Sequence, residues 1–244
     1  MTQPDTTPPY DQDEINRIRQ VYDGVYRPQS ENRAYIWHPR HAISLHYRHS
    51  VEKALIDLFN EHNLDIENYT LLDVGCGTGV FIRFMIALQA NPHTMFGLDL
   101  MPYRVAGARA TSPESIGYII GDATWLPYAD NSFDIVSQFT VFSSVLDINV
   151  RGHIAQEMSR VVKTDGFILW YDMTTPPQGA TRGLPLPEIL ELFSDCRVVS
   201  ARKLHSRYSS RIAPRSQLLA SIWDSLPGIG KTHYLALLQR KPSF

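Results

Sequence analysis

Leu71–Gly79 reads LLDVGCGTG, an apolar run of strand length followed by a turn with three alternating glycines. A short apolar run that ends in a glycine turn is typical of the first strand-to-helix connection of a parallel α/β sheet. Glycine lets the backbone approach a ligand closely. We therefore expect a ligand-binding turn that contains Gly75, Cys76 and Gly77.

The composition of the chain limits the classes of protein to consider. The chain has 244 residues, of which 43% are hydrophobic and 20% charged, and a net charge of -2. This length suits one large domain, and the charge gives no overall attraction to nucleic acid or to an anionic membrane. We expect no membrane span, because the best apolar run, residues 80–90, contains Arg83 and Gln89. The two cysteines form no Cys-x-x-Cys pair, which favours a reducing, cytoplasmic setting.

The pattern along the chain predicts one domain with a helical start. Residues 1–10 are polar and proline-rich, and we expect a disordered tail. Residues 11–65 show helical periodicity and are interpreted as an N-terminal cap or lid. Over residues 66–244, strands alternate with helices and two late strands follow. The first five predicted strands are Leu71–Val74, Met95–Leu100, Gly117–Ile120, Phe133–Phe139 and Phe167–Met173, and the helix before the fifth is predicted at Val150–Val162. This order predicts an α/β fold, a Rossmann-like three-layer sandwich with a mostly parallel seven-stranded sheet and one antiparallel edge strand.

The glycine turn departs from the dinucleotide fingerprint G-x-G-x-x-G. The third glycine of that fingerprint would fall on Val80, whereas Gly79 comes one residue early. Asp73 also lies two residues before the first glycine, where a carboxylate repels a pyrophosphate. A ligand with positive charge and no phosphate fits better, and S-adenosylmethionine (SAM) carries an ammonium and a sulfonium.

Two further acids end predicted strands. Asp99 lies 20 residues after Gly79 in MFGLDL, where an acid can accept hydrogen bonds from ribose hydroxyls. Asp99 alone would fit NAD equally well. Asp122 ends the third strand in YIIGDATWLP and can accept from an adenine amino group.

With these motifs the chain resembles the class I SAM-dependent methyltransferases. LLDVGCGTG, GLDL, GDATWLPYADNSFDIV and EMSRVVKTDGFILWYD are similar to that family's successive motifs, over about residues 70–173. The family's R-V-L-K-P-G-G turn differs here, with Thr164 for proline and Phe167 for the second glycine. The resemblance implies a SAM site, with S-adenosylhomocysteine as product, that uses Asp73, Gly75, Cys76, Gly77, Asp99, Leu100, Asp122, Ala123 and Phe139.

The residues on the acceptor side are hypotheses. A hydroxyl acceptor needs a base, and the candidates are Asp172 at the end of LWYD and His46 in the N-terminal helical region. Tyr35, Trp37 and Tyr171 are interpreted as the wall of the acceptor pocket. A looser resemblance to bacterial methyltransferases of surface-polysaccharide or natural-product pathways favours O-methylation of a specialised metabolite or glycan, as a small-molecule or carrier-linked acceptor.

Two other functions stay open. Residues 197–215 contain six Lys or Arg and no acid, which suits an RNA or protein substrate or an anionic acceptor, although a solvated face is the simpler interpretation. A non-catalytic SAM-binding regulator is the other alternative.

We expect no metal, because the spacing of His38, His41, His46 and His49 matches no known ligand pattern. We also expect no nucleic-acid partner, and a monomer or homodimer.

Overall fold

The computed structural model describes residues 12–25, 41–175, 181–206, 208–226 and 230–242. The predicted tail and the two predicted acceptor residues Tyr35 and Trp37 lie outside the described residues.

A seven-stranded sheet forms the centre of the molecule, with the strand order β3-β2-β1-β4-β5-β7-β6. The first five strands are parallel, and β7 runs antiparallel to both β5 and β6. The predicted mostly parallel sheet is therefore confirmed, and its antiparallel strand lies one place in from the edge. The strands are β1 Leu71–Val74, β2 Met95–Asp99, β3 Gly117–Ile120, β4 Phe133–Phe139, β5 Val162–Met173, β6 Cys196–Ser206 and β7 Lys231–Arg240.

Eight helices surround this sheet within the described ranges. They are α1 Gln12–Val25, α2 Ala42–Glu61, α3 Val80–Ala87, α4 Pro102–Ala110, α5 Ile148–Val161, α6 Leu186–Leu192, α7 Ser209–Ile212 and α8 Gln217–Ser225. The sequence pattern missed α6 and the single turn α7. It also missed the first residues of β5, which begins directly at the end of α5 rather than at Phe167.

The two N-terminal helices pack on different parts of the core rather than as one unit. Ile15 of α1 belongs to the apolar cluster that contains Trp170 of β5. Leu55 and Leu58 of α2 belong to the other cluster, together with Tyr171. Because neighbouring strand residues point to opposite faces, Trp170 and Tyr171 divide the core between the two faces of the sheet.

Candidate functional site

A cavity of about 110 Å³ lies at the carboxyl ends of β1, β2 and β4, under helix α1. Ligands of open α/β sheets bind at this edge. Six of the nine predicted cofactor residues line the cavity: Gly75, Asp99, Leu100, Asp122, Ala123 and Phe139. The other three, Asp73, Cys76 and Gly77, are buried around the glycine turn and are not among the lining residues.

The glycine turn is fixed against the neighbouring strand. The N–H groups of Gly75 and Cys76 both donate to the carbonyl oxygen of Leu98, at 2.7 and 3.0 Å. Gly75 has a φ of +71°, and a Cβ there would collide with the side chain of Val141. Glycine is therefore required at position 75 for two reasons: it adopts the positive φ without strain, and it leaves room for the loop after β4.

Asp99 connects the turn to the end of β2. Its side chain is buried, Oδ2 accepts the N–H of Gly77 at 2.8 Å, and Oδ1 accepts the N–H of Met101 at 2.9 Å. Each carboxylate oxygen can accept more than one hydrogen bond. The carboxylate is thus oriented by the protein and still has acceptor capacity toward the cavity.

Arg104 is a charged cavity residue that the sequence interpretation missed. Its Nη1 lies 3.8 Å from Oδ2 of Asp99, and its guanidinium lies over the ring of Tyr22 with Cζ 5.1 Å from the ring centre. A Cβ on Gly77 would come within 3.0 Å of Arg104 Nη2. The guanidinium therefore covers the glycine turn between α1 and α4.

Asp73 lies beneath the turn in the middle of the sheet. Its Oδ1 accepts the hydroxyl hydrogen of Ser137 at 2.8 Å. Burial raises the pKa of Asp73 to about 7, and the nearby Asp99 contributes in the same direction, whereas the Ser137 hydrogen bond opposes the shift. Burial also raises the pKa of the Cys76 thiol, so this thiol is unsuited to act as a nucleophile.

Asp122 and Phe139 also line the cavity. Oδ1 of Asp122 accepts both the N–H and the hydroxyl of Thr124, at 2.9 and 2.8 Å, which fixes the turn after β3. Phe139 packs against Phe81 of α3 with ring centres 4.4 Å apart. The cavity lining thus contains a second carboxylate and an aromatic ring.

Helix α1 covers the cavity. Ile15, Ile18 and Tyr22 of this helix line it. The helix is anchored to the loop after β4, because Arg17 donates to the carbonyl oxygen of Ser144 at 2.7 Å and Glu14 accepts the N–H of Leu146 at 2.5 Å.

The predicted base Asp172 holds that same loop and does not line the cavity. It is buried, with Oδ2 accepting the N–H of Ser143 at 3.0 Å and Oδ1 accepting that of Met173 at 2.8 Å. Burial raises its pKa to about 6 against the effect of these hydrogen bonds. The geometry therefore favours a positioning role over proton transfer.

The other predicted base, His46, is also separated from the cavity. It is buried in α2, and its Nε2 lies 2.8 Å from Oδ2 of Asp224 in α8.

The predicted acceptor residue Tyr171 lies next to Phe139, with ring centres 5.6 Å apart. Of the three acceptor-side candidates that are described, only Tyr171 contacts the cavity wall.

Several Lys and Arg side chains of residues 197–215 are paired with other residues of the chain. Arg197 donates to Gln239 at 2.6 Å, Arg202 pairs with Glu61, and Lys203 lies over the ring of Tyr234.

Over the described ranges, no three His, Cys, Asp or Glu side chains are grouped as metal ligands would be. Within the same ranges, no helix combines the length and apolar character that crossing a bilayer requires.

Comparisons with known proteins show which proteins this chain is similar to. Residues 72–170 match the family model described as a methyltransferase domain. A demethylmenaquinone methyltransferase of Shouchella clausii is 26% identical over 170 residues, which cover 68% of this chain and 66% of that protein. A SAM-dependent methyltransferase from Mesorhizobium loti superposes with a TM-score of 0.56 at 18% identity, covering 72% of this chain and 93% of that one.

The chain therefore contains a methyltransferase domain over residues 72–170 and has the fold of the class I SAM-dependent methyltransferases. A methyltransferase in complex with the Haloferax volcanii Trm112 methyltransferase activator superposes on this domain with a TM-score of 0.60 at 18% identity, covering 96% of each chain. These two structural likenesses show the fold. The chain spans between 43% and 66% of the length of the curated relatives it matches.

Proposed function

We propose that this protein transfers a methyl group from SAM to a hydroxyl of a small-molecule or carrier-linked acceptor. The observation that carries the proposal is the cavity at the carboxyl edge of the sheet. There the backbone of Gly75 and the carboxylates of Asp99 and Asp122 converge on one space. SAM, when bound, supplies a methyl group already activated on a positively charged sulfur.

The residues present fit SAM. Asp99 is oriented to accept from the ribose hydroxyls, and Asp122 to accept from the adenine amino group. Asp73 places a buried carboxyl beneath the turn, where it attracts the ammonium group once ionised. Phe139, which lines the cavity, would flank the adenosine. A pyrophosphate would instead face the repulsion of these carboxyls, which argues against a dinucleotide.

The cavity must widen to admit the cofactor. Pockets for ligands of this size enclose about 300–1,000 Å³, whereas this cavity encloses about 110 Å³. The residues that would give way are those of α1 and the Arg104 guanidinium that covers the turn. We infer that α1 acts as a lid, and that Arg104 leaves Asp99 for the carboxylate of SAM when the ribose binds.

The protein's contribution to the reaction is mainly alignment. The acceptor oxygen must lie in line with the methyl–sulfur bond, and water must be excluded. Such positioning contributes roughly 7–11 kcal/mol to lowering the barrier. The loop after β4 sets this geometry, since it lines the cavity and is held by Asp172 on one side and Arg17 on the other.

The acceptor class is the finer part of the proposal. We favour O-methylation of a specialised metabolite or glycan because the net charge of -2 and the internal pairing of Arg197 and Arg202 disfavour a nucleic acid. The name of the Shouchella clausii relative makes a demethylmenaquinone a second acceptor to test.

Methyl transfer from radiolabelled SAM tests the proposal. The purified protein is incubated with methyl-labelled SAM and an extract of source cells, and the products are fractionated before and after nuclease and protease treatment. We expect label in a small-molecule, lipid or glycan fraction that resists both enzymes. Label lost on digestion would contradict the proposed acceptor class and support an RNA or protein substrate.

The Asp99→Asn variant is the matched control in this assay. It keeps the shape of the side chain but removes the carboxylate that the cofactor needs, so at a SAM concentration below the wild-type Kd its labelling should fall about 10- to 100-fold. If wild-type protein binds SAM yet labels nothing in any extract fraction, the non-catalytic SAM-binding regulator is favoured instead.

A further inference from the structure

Four aromatic rings from four different elements meet beside the cofactor cavity. His205 of β6 contacts Tyr47 of α2 edge-on, with ring centres 4.5 Å apart, and His233 of β7 at 5.1 Å. Tyr171 of β5 stacks on His233 at 5.2 Å and meets His205 at 5.9 Å. We call these four residues the histidine–tyrosine cluster.

His205 is the unusual member of the histidine–tyrosine cluster. It has no solvent exposure, and neither ring nitrogen has a hydrogen-bond partner among the described residues. Its φ of +52° is also in the left-handed region, which is costly for a residue with a Cβ. A buried polar ring without a partner is uncommon in native proteins, so its retention needs a reason such as binding or catalysis.

The position of the cluster relative to the cavity supplies that reason. Tyr171 is in ring contact with Phe139, which itself lines the cofactor cavity. Phe139 is the last residue of β4 and Tyr171 lies two residues before the end of β5, near the edge where the reacting groups of α/β enzymes lie. A molecule that reaches the cluster is therefore one aromatic side chain away from the cofactor.

The groups that face His205 keep it neutral. Burial lowers the pKa of His205 well below its usual value, and the neighbouring His233 and His46 lower it further. Asp224, which is bound to His46 at 2.8 Å, and Lys231 act in opposite directions on the same ring. Burial also lowers the pKa of His233 to about 4. Both rings are therefore free of a proton on at least one nitrogen at neutral pH.

We propose that the histidine–tyrosine cluster is the acceptor site, and that His205 binds the acceptor hydroxyl and takes its proton. This inference rests on the proposed methyl transfer. It names a ring-borne hydroxyl as the acceptor group, because the site has aromatic walls and one unpartnered nitrogen base. Tyr47 is the half-buried member, so the acceptor enters from the α2 side.

The step balances without any further reactant. The acceptor oxygen forms a bond to the methyl carbon, the carbon–sulfur bond breaks, and its electron pair stays on sulfur. The hydroxyl proton moves to a ring nitrogen of His205. The products are a methyl ether, S-adenosylhomocysteine and an imidazolium, which loses its proton to water when the products leave.

Three variants test this assignment with methyl-labelled SAM and the extract fraction that wild-type protein labels. His205→Phe keeps a ring without nitrogens and should lower transfer at least about 100-fold. Its melting temperature should not fall, because the change removes an unpartnered buried polar group. His205→Gly relieves the left-handed strain, and its lost activity should return on addition of imidazole. His49→Phe, at an exposed position of α2, should behave as wild type.

The imidazole rescue is the readout that a merely structural role would not give, and the pH profile tests whether the base is a histidine of unshifted pKa. At saturating SAM, the wild-type transfer rate should stay within about twofold from pH 8 to pH 6. An unshifted histidine base, with a pKa of about 6.5, would lose roughly three quarters of its activity over that range. Such a loss would overturn the assignment.

Calorimetry of SAM binding separates a failure of the proposed methyl transfer from a failure of the assignment of His205. If wild-type protein fails to bind SAM, the proposed function fails. If wild-type protein binds and transfers, and His205→Phe transfers at the wild-type rate with unchanged SAM affinity, only the assignment of His205 is overturned.

Discussion

The backbone N–H of Gly77 donates a 2.8 Å hydrogen bond to Oδ2 of Asp99, which joins the turn after β1 to the end of β2. Because the N–H of Met101 orients the other oxygen, the carboxylate is preorganised before any ligand binds. This hydrogen bond fixes both the carboxylate that would accept from the ribose hydroxyls and the shape of the glycine turn.

Asp99→Asn should weaken SAM binding about 10- to 100-fold, since a hydrogen bond to a charged group contributes roughly 1.5–3 kcal/mol. Isothermal titration calorimetry measures this directly. Asp130→Asn is the matched control, because its side chain is 67% exposed in an ion pair with Arg160 outside the cavity lining. Equal affinities of Asp99→Asn and wild type would remove Asp99 from the site.

SAM affinity should depend on pH through Asp73. With a pKa of about 7, this carboxyl is protonated in the free protein at lower pH and must ionise to attract the ammonium of SAM. Binding therefore releases a proton, and the Kd should rise about tenfold for each pH unit below about 7.

Ser137→Ala provides the companion measurement for Asp73. The variant removes the hydrogen bond that lowers the pKa of this carboxyl, so the midpoint of the affinity profile should move to higher pH. A pH-independent Kd between pH 5 and 8 would show that Asp73 does not take part.

Arg17→Ala should accelerate exchange of SAM by loosening the lid. The change removes the hydrogen bond from α1 to the carbonyl of Ser144 and the bonds within α1 that orient Glu14, which itself accepts from Leu146. Stopped-flow displacement of SAM by S-adenosylhomocysteine would then show a faster off-rate than wild type. Arg19→Ala, at an exposed position of the same helix, should leave the off-rate unchanged. A similar off-rate in both variants would argue against a lid.

Asp172→Asn should destabilise the protein and leave the chemistry intact. An asparagine satisfies only one of the two N–H groups that the carboxylate accepts, which costs about 1–3 kcal/mol of unfolding free energy. Urea denaturation measures this loss. At saturating SAM the transfer rate should stay within about threefold of wild type. A loss of about 100-fold with normal SAM binding would instead identify Asp172 as the base.

Local sequence patterns predicted most of the fold, because strand and helix periodicities recur along the chain. The predicted bounds of β1, β3 and β4 agree with the structure to the residue. The early start of β5 was missed because Val162 is both the last helical position of the pattern and the first paired strand residue. Helix α6 is short and begins at prolines, which sequence patterns assign to a loop.

The site was only partly predictable, for a physical reason. Gly75, Asp99 and Asp122 follow their own strands, so local sequence places them at the edge of the sheet. Arg104 reaches the cavity only because α1 and α4 pack together. The histidine–tyrosine cluster draws on positions 47, 171, 205 and 233, and no local spacing signals such a long-range assembly.

Calorimetry of SAM and NAD with the wild-type protein at pH 8 tests the central claim most directly. Both ligands present ribose hydroxyls to Asp99, and only NAD carries a pyrophosphate to the turn above Asp73. We expect SAM to bind at one site per chain and NAD to give no heat of binding. Binding of NAD without binding of SAM would contradict the account of the glycine turn and the proposed methyl transfer together.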